Sequence, residues 1–293
     1  MNDDNFKQNL DPKEEVTPGG PFLMQLLFSH SVAMPDKELM TAAIWRHVGN
    51  VDCFCHDKKT AGFAAMEHIA EFKDGKVPVQ LMVTGCSKFS GRNIDLFHRS
   101  QMWDCPPVER ERILRECRYQ IIGVDMLTSA LSAIERANLD MDFMEALVEL
   151  YPDCEAIYFQ NCGKLIPIDD IRSCQVTGPD RFIYFGVNAR FFNIQDTDDM
   201  LIDTVGMSTL FLPDLQYHFH DLDPNWLVNH AYNVASYILA NDNPINDSET
   251  VDGVIDGNIT RDVMWKCQYE HAMIQPPREV LDINTGEYAS GAR

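Results

Sequence analysis

Two histidines separated by one residue, His218 and His220, are the best candidates for metal binding in this chain. In a β-strand their imidazoles project from the same face, about 6.5–7 Å apart at the backbone. The pair shares one metal ion if a third ligand lies nearby, and four residues are candidates: His230, Asp203, Asp221 and Asp223. A three-ligand site with an open position activates water for hydrolysis, so the pattern allows a divalent metal such as zinc. The other interpretation is the polar, solvent-facing side of an amphipathic strand, which needs no cofactor.

A second group of polar and aromatic residues lies on the helix that we predict after Asp223. Trp226, His230, Asn233 and Tyr237 are spaced by four, three and four residues, which places them along one helix face. Such a face is suited to line a cleft for a small molecule or a protein partner. The alternative is a helix shoulder whose polar atoms hydrogen-bond to neighbouring strands.

Two segments in the first half carry cations in patterns that bear on anion binding. The run Thr84-Gly85-Cys86-Ser87-Lys88 precedes Gly91-Arg92, but it lacks the glycine spacing of a Walker loop or a dinucleotide fingerprint, so we predict a surface turn. The predicted helix after Pro106-Pro107 alternates positive and negative residues from Glu109 to Arg118. This alternation is typical of a solvated helix face, and docking against acidic residues is the alternative.

The chain has a formal net charge of −21, and its acidic residues are concentrated in one stretch. No lysine or arginine occurs from Phe191 to Thr260, whereas twelve carboxylates lie between Asp196 and Asp256. So much like charge destabilises the compact state by self-repulsion, which suggests either a solubility role or a basic partner. The same charge opposes binding to nucleic-acid phosphates and to anionic lipid.

Apolar patterns predict an α+β fold with mixed or antiparallel sheets and with helices packed on one face. Residues 21–125 read as strand, helix, three strands, helix and strand, which predicts a ferredoxin-like lobe. Residues 126–293 are expected to form a second, acidic α+β lobe packed on the first. Residues 1–20 are polar and acidic, and we expect a disordered tail.

In the second half, the patterns predict individual elements that position the candidate residues. Helices are predicted over Thr128–Ala137 and Asp140–Tyr151, followed by a long strand over Arg181–Ile194. A strand with alternating apolar residues is predicted around Leu215–Phe219. Asp223 caps the next helix with Pro224 at its first position, and that helix runs to about Asn241.

No apolar run reaches membrane-spanning length, and the N-terminus has no signal-peptide pattern. We therefore expect a cytoplasmic protein that does not associate with membranes. Nine cysteines in a reducing compartment are expected to be thiols, mostly buried as small apolar side chains.

Several short sequence segments in the second half resemble those of a known family. They are Pro152–Tyr158, Gly163-Lys164-Leu165, Asp203–Met207, Leu212–Gln216 and Tyr232–Tyr237. Together they resemble an uncharacterised bacterial family, domain of unknown function 4261, over roughly Phe22 to Val254. The resemblance implies no particular activity and assigns no catalytic residue. Because related domains of unknown function tend to occur near bacterial toxin and immunity genes, it implies a binding role.

We therefore expect a non-enzymatic binding protein, immunity-like or an adaptor, whose acidic C-terminal half engages a basic protein. Its binding candidates are the side chains Tyr217, Phe219, Trp226, His230, Tyr237, Asp214 and Asp221. Long-range attraction speeds the encounter, and aromatic anchors then hold the complex. The alternative is a metal-dependent hydrolase centred on His218 and His220. The sequence leaves the oligomeric state open.

Overall fold

A computed structural model describes residues 10–73 and 75–291 of the chain. These residues form two compact units. One unit contains residues 19–186, and the other contains residues 187–291 together with residues 10–18. The boundary between the units therefore falls after Gly186, whereas the sequence suggests one after residue 125. The reason is that a strand beyond residue 125, Ala156–Phe159, pairs with the first strand of the chain.

The unit of residues 19–186 is built on an eight-stranded sheet. Its strands are β1 (Leu23–Phe28), β2 (Val51–His56), β3 (Thr60–Phe72), β4 (Gly75–Thr84), β5 (Ser87–Lys88), β6 (Tyr119–Met126), β7 (Ala156–Phe159) and β8 (Lys164–Pro167). The strand order is β2-β3-β4-β6-β1-β7-β8, and β5 pairs with β6. The pairs are antiparallel. The helices are α1 (Lys37–Val48), α2 (Leu96–Ser100), α3 (Pro107–Glu116), α4 (Ala133–Leu150), α5 (Ile168–Ser173) and α6 (Asp180–Gly186).

The second unit is built on a six-stranded mixed sheet and one long helix. Its strands are β9 (Asn188–Asn193), β10 (Met200–Val205), β11 (Asp214–Phe219), β12 (Thr250–Ile255), β13 (Asn258–His271) and β14 (Glu279–Asn284). The order is β12-β13-β14-β11-β10-β9, with β11 and β14 parallel and the other pairs antiparallel. The helix α7 (Pro224–Ala240) follows β11. The α+β prediction is confirmed, whereas a ferredoxin-like arrangement is not confirmed, because β6 lies between β4 and β1.

Helix α7 forms where the sequence predicts it, and the cause is local. The side chain of Asp223 accepts a hydrogen bond from the backbone N–H of Asn225, and Pro224 opens the helix. Leu227, Ala231, Val234 and Ile238 are buried along one face. That apolar face fixes which side of α7 remains available to other groups.

Two predicted segments differ from the structure. The predicted long strand over Arg181–Ile194 is wrong, because α6 occupies Asp180–Gly186 and only Asn188–Asn193 is a strand. Phe182 and Phe185 are three residues apart and both buried, which is a helical spacing within the apolar run. The predicted break between two helices near Asp140 is also wrong, because α4 runs continuously from Ala133 to Leu150.

The first part of the predicted acidic tail, residues 1–9, lies outside the described residues. Residues 10–18 belong to the second unit. Gln275 accepts a hydrogen bond from the N–H of Asp11 and donates one to the carboxylate of Glu14, and the N–H of Val16 donates to the carbonyl of Pro277. Within the described ranges, no helix combines the length and the apolar character needed to cross a bilayer.

Candidate functional site

The predicted metal ligands His218 and His220 each contact a different aspartate. The imidazole of His218 lies 3.5 Å from a carboxylate oxygen of Asp199, and His220 contacts its neighbour Asp221 at 2.9 Å. In the part of the chain that the structure describes, no three His, Cys, Asp or Glu side chains are grouped to hold a metal ion. The candidate third ligands have other roles, since Asp223 caps α7 and Asp203 and His230 lie in buried networks.

Asp203 and Asp214, two of the twelve acidic residues, are buried and bound to arginines. Asp203 lies opposite Arg190 on the neighbouring strand, and its carboxylate accepts hydrogen bonds from Arg190 at 2.8 Å and from Arg278 at 2.8 Å. Arg278 also donates to Asp214 at 3.2 Å. Both arginines lie outside the arginine-free stretch Phe191–Thr260, so the sequence does not reveal the pairing. The prediction that Asp214 binds a partner is wrong, because its side chain is fully buried.

The aromatic anchors predicted on β11 are also buried. Tyr217 and Phe219 have no exposed surface, so their side chains are not available as the predicted surface anchors. The alternation along β11 is correct, but both faces of this central strand are covered. His218 and His220, on the other face, are only partly accessible. A two-residue period alone does not distinguish a half-exposed strand from an interior one.

His230 joins three elements through its imidazole. Its Nε2 lies 2.7 Å from the carbonyl oxygen of Asp252 on β12, and its Nδ1 lies 2.9 Å from the hydroxyl of Tyr217 on β11. A carbonyl only accepts, so Nε2 carries the proton and donates. Burial lowers the pKa of His230, so the ring is neutral and Nδ1 accepts from Tyr217. Both nitrogens are engaged, so His230 is a structural link and not a free ligand.

A groove with a volume of about 650 Å³ opens between α7 and the β12–β13 hairpin, and we call it the α7 groove. From α7 and the segment after it, it is lined by His230, Asn233, Val234, Tyr237, Pro244 and Ile245. From β12, β13 and the residues before β12, it is lined by Ser248, Glu249, Thr250, Val251, Asp252, Ile259 and Arg261. Its size is in the range of ligand-binding clefts. Three of the four residues on the predicted helix face, His230, Asn233 and Tyr237, therefore line a cleft.

The remaining predicted binding residues lie beside the α7 groove or away from it. Trp226 is partly buried against the hairpin turn, where a Cβ added to Gly257 would lie 2.9 Å from its indole nitrogen. Tyr237 is 51% exposed and presents its ring to the groove. Asp221 is exposed and contacts His220, but it does not line the groove.

The charged groups of the α7 groove are two carboxylates and one arginine. The carboxylate of Glu249 is exposed, and it accepts a hydrogen bond of 2.7 Å from the N–H of Asn246. Asp252 lies 3.7 Å from the guanidinium of Arg261, whose side chain is 90% exposed. An ion pair that is so exposed is weak, so solvent or another cation can replace Arg261.

The hairpin side of the groove, including Glu249, Ile259 and Arg261, was not predicted from the sequence. The sequence does contain a signal for this hairpin, the pair Asp256-Gly257 between two segments of alternating apolar and polar residues. Both residues have positive φ, 48° and 77°, as a type I′ turn requires, and Asp-Gly is a preferred sequence for this turn. Ile255 pairs with Asn258 across it. Recognising this turn predicts β12 and β13 as one hairpin that faces α7.

Comparison with known proteins concerns the segment that contains the groove. Residues 203–284 match the model of the family described as Domain of unknown function (DUF4261). The resemblance predicted from the sequence is confirmed for residues 203–284. The match begins later in the chain than the predicted Phe22 and ends beyond the predicted Val254. It includes every residue of the α7 groove as well as Asp203, Asp214 and Arg278. No curated protein and no solved structure matches the chain.

Proposed function

We propose that the α7 groove binds a basic segment of a protein partner and that the chain acts by binding, not by turnover. The observation that carries this proposal is the exposed Arg261 beside Asp252. It supports the proposal because a guanidinium fits beside a carboxylate of the groove, and a lysine or arginine of the partner would take the same position. The predicted hydrolase is not carried forward, because among the residues that the structure describes His218 and His220 belong to no group of three His, Cys, Asp or Glu side chains that could hold a metal ion.

Charge and apolar surface in the groove are complementary to such a segment. Glu249 and Asp252 supply carboxylates, and Tyr237 and Ile259 supply exposed apolar surface beside them. Exposed aspartates at positions 242, 247 and 256 lie in the same stretch of chain and add to the negative field. This field speeds the encounter, and the tyrosine and isoleucine then hold the complex. Binding occludes the basic segment of the partner. An immunity-like protein inhibits its partner in this way, and an adaptor recruits its partner by the same contact. A cytoplasmic location and a bacterial origin remain predictions.

The test is binding of a fluorescein-labelled oligolysine peptide, followed by fluorescence anisotropy. The double variant Glu249→Gln with Asp252→Asn removes both groove carboxylates and keeps the size of the side chains. We expect binding to weaken roughly three- to tenfold, because exposed ion pairs contribute up to about 1 kcal/mol each. Raising the salt concentration from about 50 to about 300 mM should weaken wild-type binding steeply, because added salt shortens the Debye length.

The matched control is Asp198→Asn with Glu287→Gln. These exposed carboxylates lie in the same unit but not in the groove, so the change in net charge is identical. The control should bind like the wild type within about twofold. If both double variants lose affinity equally, the peptide responds to the diffuse charge and the groove is not its site. Salt-independent binding would contradict the electrostatic part of the proposal.

A further inference from the structure

The unit of residues 19–186 contains a pocket whose charge is opposite to that of the chain. The pocket has a volume of about 850 Å³ and is lined by five cationic side chains and one carboxylate. The charged residues are Lys88, Arg92, Arg99, Arg115, Arg118 and Glu111. They come from β5, the turn after it, α2, α3 and the segment before β6. We call this the cationic pocket.

The turn that carries Lys88 and Arg92 is held close to α3 by a glycine. A Cβ on Gly91 would lie 2.3 Å from the carbonyl oxygen of Leu114, so only glycine fits without a shift of the backbone. The sequence analysis predicts an ordinary surface turn here and a solvated face on α3. The structure brings the two together, so Arg92 and Arg115 line the same pocket.

Several cations of the pocket are oriented by neutral groups, which hold them without cancelling their charge. The guanidinium of Arg99 donates to the carbonyls of Ile94 at 2.9 Å and Gly91 at 2.6 Å. Arg118 donates to the carbonyl of Arg115 at 3.0 Å, and Lys88 donates to the hydroxyl of Tyr119 at 2.8 Å. Side chains that are already ordered lose less conformational entropy when a ligand binds.

Three of the five cations lack a carboxylate partner. Among the residues that the structure describes, Lys88, Arg92 and Arg118 form no ion pair, whereas Arg115 pairs with Glu116 and Arg99 lies 3.8 Å from Glu111. The chain has 45 acidic and 24 basic residues, so partners are abundant. Elsewhere in this unit Arg112, Arg136 and Arg181 all contact carboxylates. Uncompensated cations that converge on a concave site indicate an anionic ligand.

We propose that the cationic pocket binds a small molecule that carries two or more phosphate groups. Arginine forks match phosphate oxygens in geometry, and five cations against one carboxylate exceed the charge of a single phosphate. The volume is suited to a small molecule. A long nucleic acid is disfavoured, because the net charge of −21 repels phosphates beyond the pocket, whereas a small ligand meets only the local cations. The proposal concerns a different unit from the α7 groove and does not depend on it.

The test is calorimetric titration of the full-length protein with inorganic tripolyphosphate. The double variant Arg92→Gln with Arg118→Gln removes two exposed cations that form no ion pair with any residue the structure describes, so the fold should be retained. We expect saturable binding to the wild type and roughly tenfold or greater weakening in the variant, because hydrogen bonds to charged groups are the stronger ones. Lys88→Gln is a second variant, with a smaller expected loss.

The matched control is Lys37→Gln with Lys76→Gln, which makes the same change in net charge within the same unit but outside the pocket. The control should bind tripolyphosphate within about twofold of the wild type. Equal losses in both double variants, or no saturable binding to the wild type, would overturn the proposal. Tighter binding of an RNA oligonucleotide than of tripolyphosphate, abolished by Arg92→Gln with Arg118→Gln, would assign the pocket to nucleic acid instead.

Discussion

His230 shows how one side chain supports the wall of the α7 groove. Its imidazole connects α7 with β11 and β12 through Tyr217 and the carbonyl of Asp252. Its ring also contacts Trp265, with ring centres 4.9 Å apart. The carbonyl of Asp252 fixes a proton on Nε2, and burial favours the neutral ring. Protonation of Nδ1 would charge a buried group, and the Tyr217 hydroxyl would then accept instead of donate.

His230→Gln should therefore change the pH dependence of stability. The folded-state pKa lies below the ordinary value of 6.5, so the unfolded chain binds more protons as the pH falls through that region. The stabilising contribution of neutral His230 is present above about pH 6.5 and is lost as the pH falls towards the folded-state pKa. We expect the variant to be less stable than the wild type by about 1–3 kcal/mol at neutral pH, with a smaller further loss on acidification. Urea unfolding at several pH values measures both effects.

The control for this prediction is His271→Gln, because His271 is exposed on β13. It should leave both the stability and its pH dependence nearly unchanged. An identical pH profile for the wild type and the His230 variant would show that the imidazole does not titrate with folding.

Arg278 forms ion pairs with two buried carboxylates at once. It donates to Asp203 and Asp214 and to the carbonyls of Thr204 and Pro276, at 2.7 and 2.8 Å. Burial raises the pKa of Asp214, and the positive charge of Arg278 opposes this rise. Arg278→Met removes one donor from each of these acceptors and the positive charge that Asp214 faces. The cost should be about 3–5 kcal/mol of unfolding free energy.

Chemical denaturation of Arg278→Met measures this cost, with Arg261→Met as the exposed control. The control should change stability by less than about 1 kcal/mol. A comparably small change in Arg278→Met would mean that the buried network rearranges without loss.

At the scale of elements, helix α4 is longer than the sequence suggests, and its interior carries a buried charge cluster. Asp140 reads as the first residue of a helix, yet it lies within α4 and has no exposed surface. Its carboxylate is 3.7 Å from Arg136, which also donates to Asp125 at 2.7 Å. Burial, followed by the nearby charge of Asp125, raises the pKa of Asp140 well above its usual range.

Asp140→Asn should leave stability at neutral pH unchanged or raise it. A buried acid with a raised pKa destabilises the folded state above its unfolded-state pKa, and that penalty disappears at low pH, where the acid is protonated in both states. Asparagine has the same shape and no charge. Any gain should therefore shrink on acidification in urea unfolding curves. A loss of more than about 1 kcal/mol at neutral pH would show that the carboxylate is ionised and stabilising.

Elements with a strong local signal could be predicted from the sequence, and those decided by distant contacts could not. Asp223-Pro224 defines the start of α7, and Asp36 and Gly49 bound α1. By contrast, α6 and the interior position of Asp140 depend on partners that are distant in sequence. The face of α7 could be read from its spacing, whereas the opposite wall of the groove required the type I′ turn at Asp256-Gly257.

At the scale of the whole molecule, the charge of −21 is not one uniform field. Two of the twelve carboxylates between Asp196 and Asp256 are neutralised internally, and two others line the α7 groove. In the other unit, five cations line a pocket. Each unit therefore presents a site with its own local charge, and we propose a different ligand for each. The net charge alone predicts the basic partner but not the anionic ligand.

The most direct test of the central claim compares single variants within the α7 groove. Arg261→Gln removes the cation beside Asp252, the position that we propose for a lysine or arginine of the partner. Oligolysine should therefore bind the variant roughly two- to fivefold more tightly. Asp252→Asn should weaken binding, and Lys266→Gln, an exposed control on the same strand, should have little effect. Opposite shifts for Arg261 and Asp252, measured by fluorescence anisotropy at low salt, are the predicted result. Unchanged affinity in Arg261→Gln, or equal tightening in Lys266→Gln, would contradict the assignment of the groove as the binding site.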